Sequence, residues 1–207
     1  MSRLNPVLVA FVCLGCCPTF CTFGGQPDAA TKVVTLVVAF DGNAAQPSVV
    51  EALKSELAEI WRSEAVKLDW RPLSSIKQGD SFEELVVVHF KGDCQVHPES
   101  FAAYLIDERG PQGGGPLAYT STVDGEVQPF SSVLCDRVSR SVQSALEPGQ
   151  RKAADLLFGR ALGRVLSHEV YHVLNQTLDH RKQGLAKRSL TAKQLIAPEF
   201  HFDEARH

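Results

Sequence analysis

Lys32-Val-Val-Thr-Leu-Val-Val-Ala-Phe40 is apolar at almost every position, rich in β-branched residues, and shows no polar alternation. That pattern predicts a strand buried on both faces, with a turn at Asp41-Gly42-Asn43. From Pro47 the period becomes helical. Val50, Leu53, Leu57, Ile60 and Trp61 form one stripe of an amphipathic helix, and Pro47 suits its first turn. Val66 to Arg71 alternates and predicts a second strand; Glu84 to Phe90 is another buried run. Strand, helix, strand, strand implies a sheet with a right-handed crossover. Gly110 to Pro116 reads as a loop and lacks the Lys-Ser/Thr pair of a phosphate-binding loop. Leu117 to Thr122 predicts a strand, Asp124-Gly125 a turn, and Phe130 to Asp136 a further strand. Val138 to Leu146 predicts a short helix closed by Pro148-Gly149, and Ser189 to Ile196 a terminal one. The whole predicts an α/β (α+β) domain with a mixed sheet of four to five strands.

The longest helical pattern runs from Ala153 to Asn175, where Leu157, Ala161, Val165, His168 and His172 share one face. Gly159 and Gly163 lie within it, each less favourable than alanine by roughly 1 kcal/mol. Close packing against another element accounts for them. The same helix carries His168-Glu169-Val170-Tyr171-His172, an H-E-x-x-H run. Residues four apart on a helix lie on one face, so the two imidazoles can grip a single metal ion. Glu169 stands beside them and can take a proton from a water activated there. The bland alternative is a helix with two partly exposed histidines and a surface glutamate. The histidines instead continue an apolar stripe, which favours the metal.

At 207 residues the chain holds one sizeable domain, and a formal charge of −3 gives no case for a nucleic-acid partner. Residues 1–25 differ from the rest. Arg3 precedes the apolar run Pro6 to Gly15, and small or polar residues follow up to Gly25. This is the outline of a secretory signal peptide, with cleavage after Cys21 or Gly24. The run is too short to span a bilayer, so signal removal leaves no transmembrane segment. Leu14-Gly15-Cys16 is similar to a bacterial lipoprotein signal, although Cys13 replaces the usual leucine, so lipid anchoring stays open beside a secreted or cell-envelope location. A buried first strand or helix is the structural alternative. Of the six cysteines, Cys13, Cys16, Cys17 and Cys21 fall in this segment. Residues 26–207 keep only Cys94 and Cys135, which an oxidising compartment would pair. Closing that loop is worth on the order of 4 kcal/mol in the chain-entropy picture.

The order of strands followed by a long helix bearing H-E-x-x-H resembles the N-terminal subdomain of zincin metallopeptidases, from about Lys32 to His180. So little chain follows the motif that the metzincin branch is the nearest likeness. Metzincins carry H-E-x-x-H-x-x-G-x-x-H. Here Asn175 stands at the glycine position, where it tolerates a left-handed turn ending the helix, and Leu178 at the third histidine. No Met-turn is present, since the only methionine is Met1. The resemblance implies a zincin-like sheet packed on the active-site helix, Zn2+ as cofactor, and a third ligand beyond the helix. His180, two residues after Leu178, leads the candidates; Glu199, Asp179 and His201 follow, ahead of His89 and His97. Asp179 can alternatively orient a liganding imidazole, and Leu178 is expected to pack as an apolar plug.

The function implied is hydrolysis of a peptide or protein substrate, with His168, His172 and His180 on zinc and Glu169 as general base. Tyr171 is a possible oxyanion donor by chemistry, though a packed aromatic is the simpler reading. Leu117 to Thr122 is expected at a sheet edge above the site, where a substrate can add as a strand. The rival is a secreted zincin-like domain that binds metal or a partner without turnover, which the short C-terminal part favours and Glu169 opposes. A second rival is an envelope protein that holds no metal.

Overall fold

The β-branched runs form the sheet and the amphipathic stretches cover it in a computed structural model that describes residues 31–41, 45–96 and 115–200. β1 (Lys32–Asp41), β2 (Val66–Pro72), β3 (Glu84–Lys91), β4 (Ala118–Val123) and β5 (Glu126–Leu134) make one five-stranded sheet in the order β2-β1-β3-β5-β4. β1 pairs in parallel with β2 and β3, and β3 pairs in parallel with β5. β4 alone is antiparallel and closes one edge. Val34, Leu36, Val86, Val88 and Phe90, on the two central strands, are fully buried. The hairpin β4–β5 turns at Asp124-Gly125, both at positive φ (53° and 85°), as a two-residue turn matched to strand twist requires.

Four helices complete the described fold: α1 (Pro47–Arg62), α2 (Cys135–Ala145), α3 (Ala154–Asn175) and α4 (Ala192–Ile196). The α/β class, the mixed sheet, the long helix and a short C-terminal helix are as expected from the pattern. The differences are local. In α1 it is Val49, not Val50, that joins the buried face with Ala52, Leu53, Leu57, Ile60 and Trp61. The last strand starts at Glu126 instead of Phe130. Pro129 is tolerated there because the β4–β5 register is irregular between Thr120 and Thr122, so the ladder does not need a regular donor at that point. The strand ends at Leu134, and α2 begins at Cys135. Cys94 and Cys135 are joined in a disulfide across 41 positions, tying the end of β3 to the start of α2. The proposed signal segment, residues 1–25, and His97 and His201 lie outside the described residues.

Gly159 and Gly163 have the role their position suggested. α3 packs along α1 so closely that a Cβ on Gly159 would collide with the Val49 carbonyl oxygen and sit 2.6 Å from Ala52 Cβ. One on Gly163 would sit 2.9 Å from Glu56 Cβ. The helix pair is also locked electrostatically. Arg164, fully buried, donates from Nε to Glu56 Oε1 at 2.6 Å, and Arg160 Nε lies 3.4 Å from Glu56 Oε2. Both arginines reach onward: Arg164 to the Gln194 carbonyl and Arg160 to those of Ile196 and Ala197. A buried charge persists when it is paired: Glu56 and the Gln194 carbonyl engage Arg164 Nε and Nη1, although its Nη2 meets no partner among the described residues, and these contacts also pin the C-terminal segment to α3. Leu185, Ala186, Leu195, Ile196 and Phe200 of that segment enter the core.

Candidate metal centre

The motif sits on the last two turns of α3, where the helix passes beneath β5 and the edge strand β4. Helical spacing brings His168 and His172 together edge to face, with ring centroids 4.7 Å apart. Each imidazole is fixed from behind. His168 Nδ1 is 2.9 Å from the Leu185 carbonyl oxygen, and His172 Nδ1 is 2.7 Å from that of Thr177. A carbonyl oxygen can only accept, so both Nδ1 atoms carry the proton and both Nε2 atoms present lone pairs. Those two Nε2 atoms face each other at 3.0 Å. Two neutral imidazoles so arranged have no proton to share, and the electrostatic remedy is a cation between them. Two nitrogens on one tetrahedral zinc would stand about 3.3 Å apart, given Zn–N bonds of 2.0–2.1 Å. The second partner on each ring is the backing that a ligating histidine ordinarily needs.

The third imidazole arrives by a turn one residue later than its sequence suggests. Asn175 remains helical, its side chain donating to the Tyr171 carbonyl at 2.9 Å. Gln176 takes the left-handed conformation instead (φ 47°, ψ 44°), and Thr177 N–H bonds back to the His172 carbonyl at 3.2 Å. The amide groups of Asn175 and Gln176 satisfy carbonyls at the frayed end, so the reversal does not depend on asparagine taking the strained position. His180 then returns to the helix end, its ring centroid 5.2 Å from His168 and 4.9 Å from His172. One ligand atom from each of the three rings lies within 4.8 Å of the others. Among the described residues neither Glu199, Asp179 nor His89 belongs to this group. Leu178 does not plug the core; it is 50 % exposed and lines the cleft.

Glu169 is nearly covered, 5 % exposed, beside the two imidazoles of the helix. Burial pushes its carboxyl up to about 7, and a hydrogen bond from Thr120 works the other way. That bond, Thr120 Oγ1 to Glu169 Oε2 at 2.7 Å, crosses from β4 to α3. His168 is pulled down to about 4, first by burial, against the opposing Leu185 carbonyl, and further by the neighbouring imidazoles. His180 is also lowered, by burial and then by His172 and Arg188. At neutral pH the first imidazole is therefore a free base ready to ligate. A cleft of about 700 Å³ opens over this group, walled by residues 115–120, by α3 and by residues 187–190.

Tyr171 belongs elsewhere. Its ring is half-buried against the core, stacks under the Arg181 guanidinium at 5.6 Å, and does not line the cleft. Sequence reasoning missed Thr120 and the carbonyls of Thr177 and Leu185. Thr120 is one of several hydroxyls in a strand, and backbone carbonyls carry no side-chain signal at all. No protein-family model, no curated protein and no solved structure matches this chain.

Proposed function

We propose that this protein is a zinc-dependent metallopeptidase of metzincin-like build, exported by way of the segment 1–25 and comprising one domain over residues 26–207. The observation that carries the reading is the convergence of three imidazoles, two with their tautomers set by backbone carbonyls, beside a buried glutamate in an open cleft. His168, His172 and His180 would hold the ion, a donor set that suits zinc and leaves a position open. When bound, such a cation supplies Lewis acidity at that position.

The chain's own groups supply the rest. Thr120 engages Glu169 Oε2, leaving Oε1 without a protein partner among the described residues. Glu169 thus takes a proton from water at Oε1 and returns it to the departing amine. Its raised proton affinity suits an acid–base group working near neutral pH. β4 is an edge strand of the sheet among the described residues, and an extended peptide can add to it beside the site. Among the described residues no helix is long and apolar enough to cross a membrane.

The test has two parts. Purified protein should contain about one zinc per chain by elemental analysis, and should cleave members of a peptide library that Glu169→Gln leaves intact. Stoichiometric zinc without Glu169-dependent cleavage would support the non-catalytic binding domain instead. Absence of zinc after reconstitution would remove both readings.

A further inference from the structure

The wall of the cleft formed by residues 187–190 is basic, with Lys187 and Arg188 side by side. The protein as a whole has a formal charge of −3, yet among the described residues Glu169 is the only carboxylate lining the cleft. Lys187 and Arg188 both line it. Neither meets an acidic partner among the described residues. Lys187 Nζ donates to a neutral acceptor, Gln194 Oε1, at 2.6 Å, and Arg188 is exposed.

This wall is anchored. Leu185 and Ala186, just before it, are fully buried, and the Arg181 N–H bonds to the Ala186 carbonyl at 2.9 Å. Gln194, which places Lys187, is itself held in the capping box of α4 with Thr191. The two cations therefore stand on a fixed support and not on a free loop, which is the condition for a charge to select a ligand.

We propose that Lys187 and Arg188 make this cleft select peptides that carry a carboxylate close to the metal centre. This deepens the peptidase reading and rests on it for the identity of the ligand as a peptide. An anionic group in the cleft would gain two partners that meet no counter-charge among the described residues, while a cationic one would face both. The carboxylate can come from an acidic side chain or from the peptide's own C-terminus. Selection of this kind weakens with salt, because both cations are open to solvent on at least one side.

The experiment measures binding and turnover separately. Fluorescence anisotropy with zinc-loaded Glu169→Gln protein would compare three peptides, each blocked at the N-terminus and otherwise identical in sequence. One has an internal Glu and an amidated end, one has Gln there with an amidated end, and one has Gln with a free carboxyl end. The Glu peptide or the free-acid peptide should bind roughly tenfold more tightly than the neutral one at low salt. Which of the two does so identifies the source of the carboxylate. The preference should vanish in a Lys187→Gln/Arg188→Gln background and shrink in the exposed single variant Arg188→Gln, whose folding is not in question. Equal affinity for all three peptides, no measurable binding of either acidic peptide, or a preference that survives the double substitution would overturn the proposal. The last result would assign the attraction to the metal itself. Cleavage of the same peptides by the unaltered protein reports on the peptidase reading alone. Selective binding without cleavage would remove that reading and keep the selection, and cleavage without charge preference would do the reverse.

Discussion

Replacing Glu169 by glutamine tests the electrostatics of the site without relying on any substrate. Glu169 is 5 % exposed, so solvent screens it little, and its carboxyl is raised from 4.5 to about 7, chiefly by burial. The folded protein therefore binds this proton more tightly than the unfolded chain does. Below pH 4.5 the group is protonated in both states and exerts no penalty. Between pH 4.5 and about 7 the unfolded chain releases its proton first, and stability falls as pH rises. At about 1.4 kcal/mol per pH unit, the full penalty above pH 7 is roughly 3 kcal/mol. Glutamine cannot ionise and can still accept from Thr120. Metal-free Glu169→Gln should therefore match the unaltered protein near pH 4 and exceed its stability by up to roughly 3 kcal/mol at pH 8. His168 is shifted the opposite way, gaining stability as pH rises from about 4 to 6.5, but it is present in both proteins and cancels in the difference. Urea unfolding in the presence of chelator, at pH intervals from 4 to 9, gives the difference directly. A difference that stays flat with pH, or that favours the unaltered protein at high pH, would refute a buried, uncompensated carboxylate. Zinc should narrow the gap at high pH, since a nearby cation favours the anion.

Three further outcomes follow from the structure. His168→Ala combined with His172→Ala should abolish stoichiometric zinc and His180→Ala should weaken it strongly, whereas Glu199→Ala should leave it nearly unchanged; elemental analysis and competition with a chromogenic chelator decide this. Gly159→Ala should destabilise the fold by about 1–3 kcal/mol despite alanine's better helix propensity, because the new Cβ meets the Val49 carbonyl and Ala52 of α1; a denaturation midpoint equal to or above that of the unaltered protein would contradict the packing. Replacing both Cys94 and Cys135 by serine should cost on the order of 4 kcal/mol, and non-reducing mass spectrometry of the intact protein should show the crosslinked peptide.

What the amino-acid sequence determined by itself is whatever repeats with a local period. The apolar runs at Lys32–Phe40 and Glu84–Phe90 had to be buried strands, because no polar face is available to meet water. The spacing of His168 and His172 placed them on one side of a helix, since helix geometry leaves no other arrangement. The glycines at 159 and 163 announced close packing, because only contact compensates for their poor propensity. Local periodicity is silent about partners far along the chain. It could not show that α1 is the element pressed against those glycines, nor that Glu56 pairs with Arg164 across 108 positions. It placed the helix-ending left-handed residue at Asn175, where side-chain chemistry favoured it. The tertiary structure has it at Gln176, in a turn that sets the carbonyl of Thr177 behind His172. It expected Leu178 to be buried by analogy with its position, whereas the turn that delivers His180 points it into the cleft. Thr120 meets Glu169 only because β5 pairs with β3 and leaves β4 at the sheet edge beside α3. The pairing of His168 with His172 is thus a property of one helix. The third imidazole, the backing carbonyls and the charged wall exist only once the C-terminal segment is clamped onto that helix through Leu185, Ala186 and the buried Arg164, contacts whose energy comes from burial between segments that no local pattern connects.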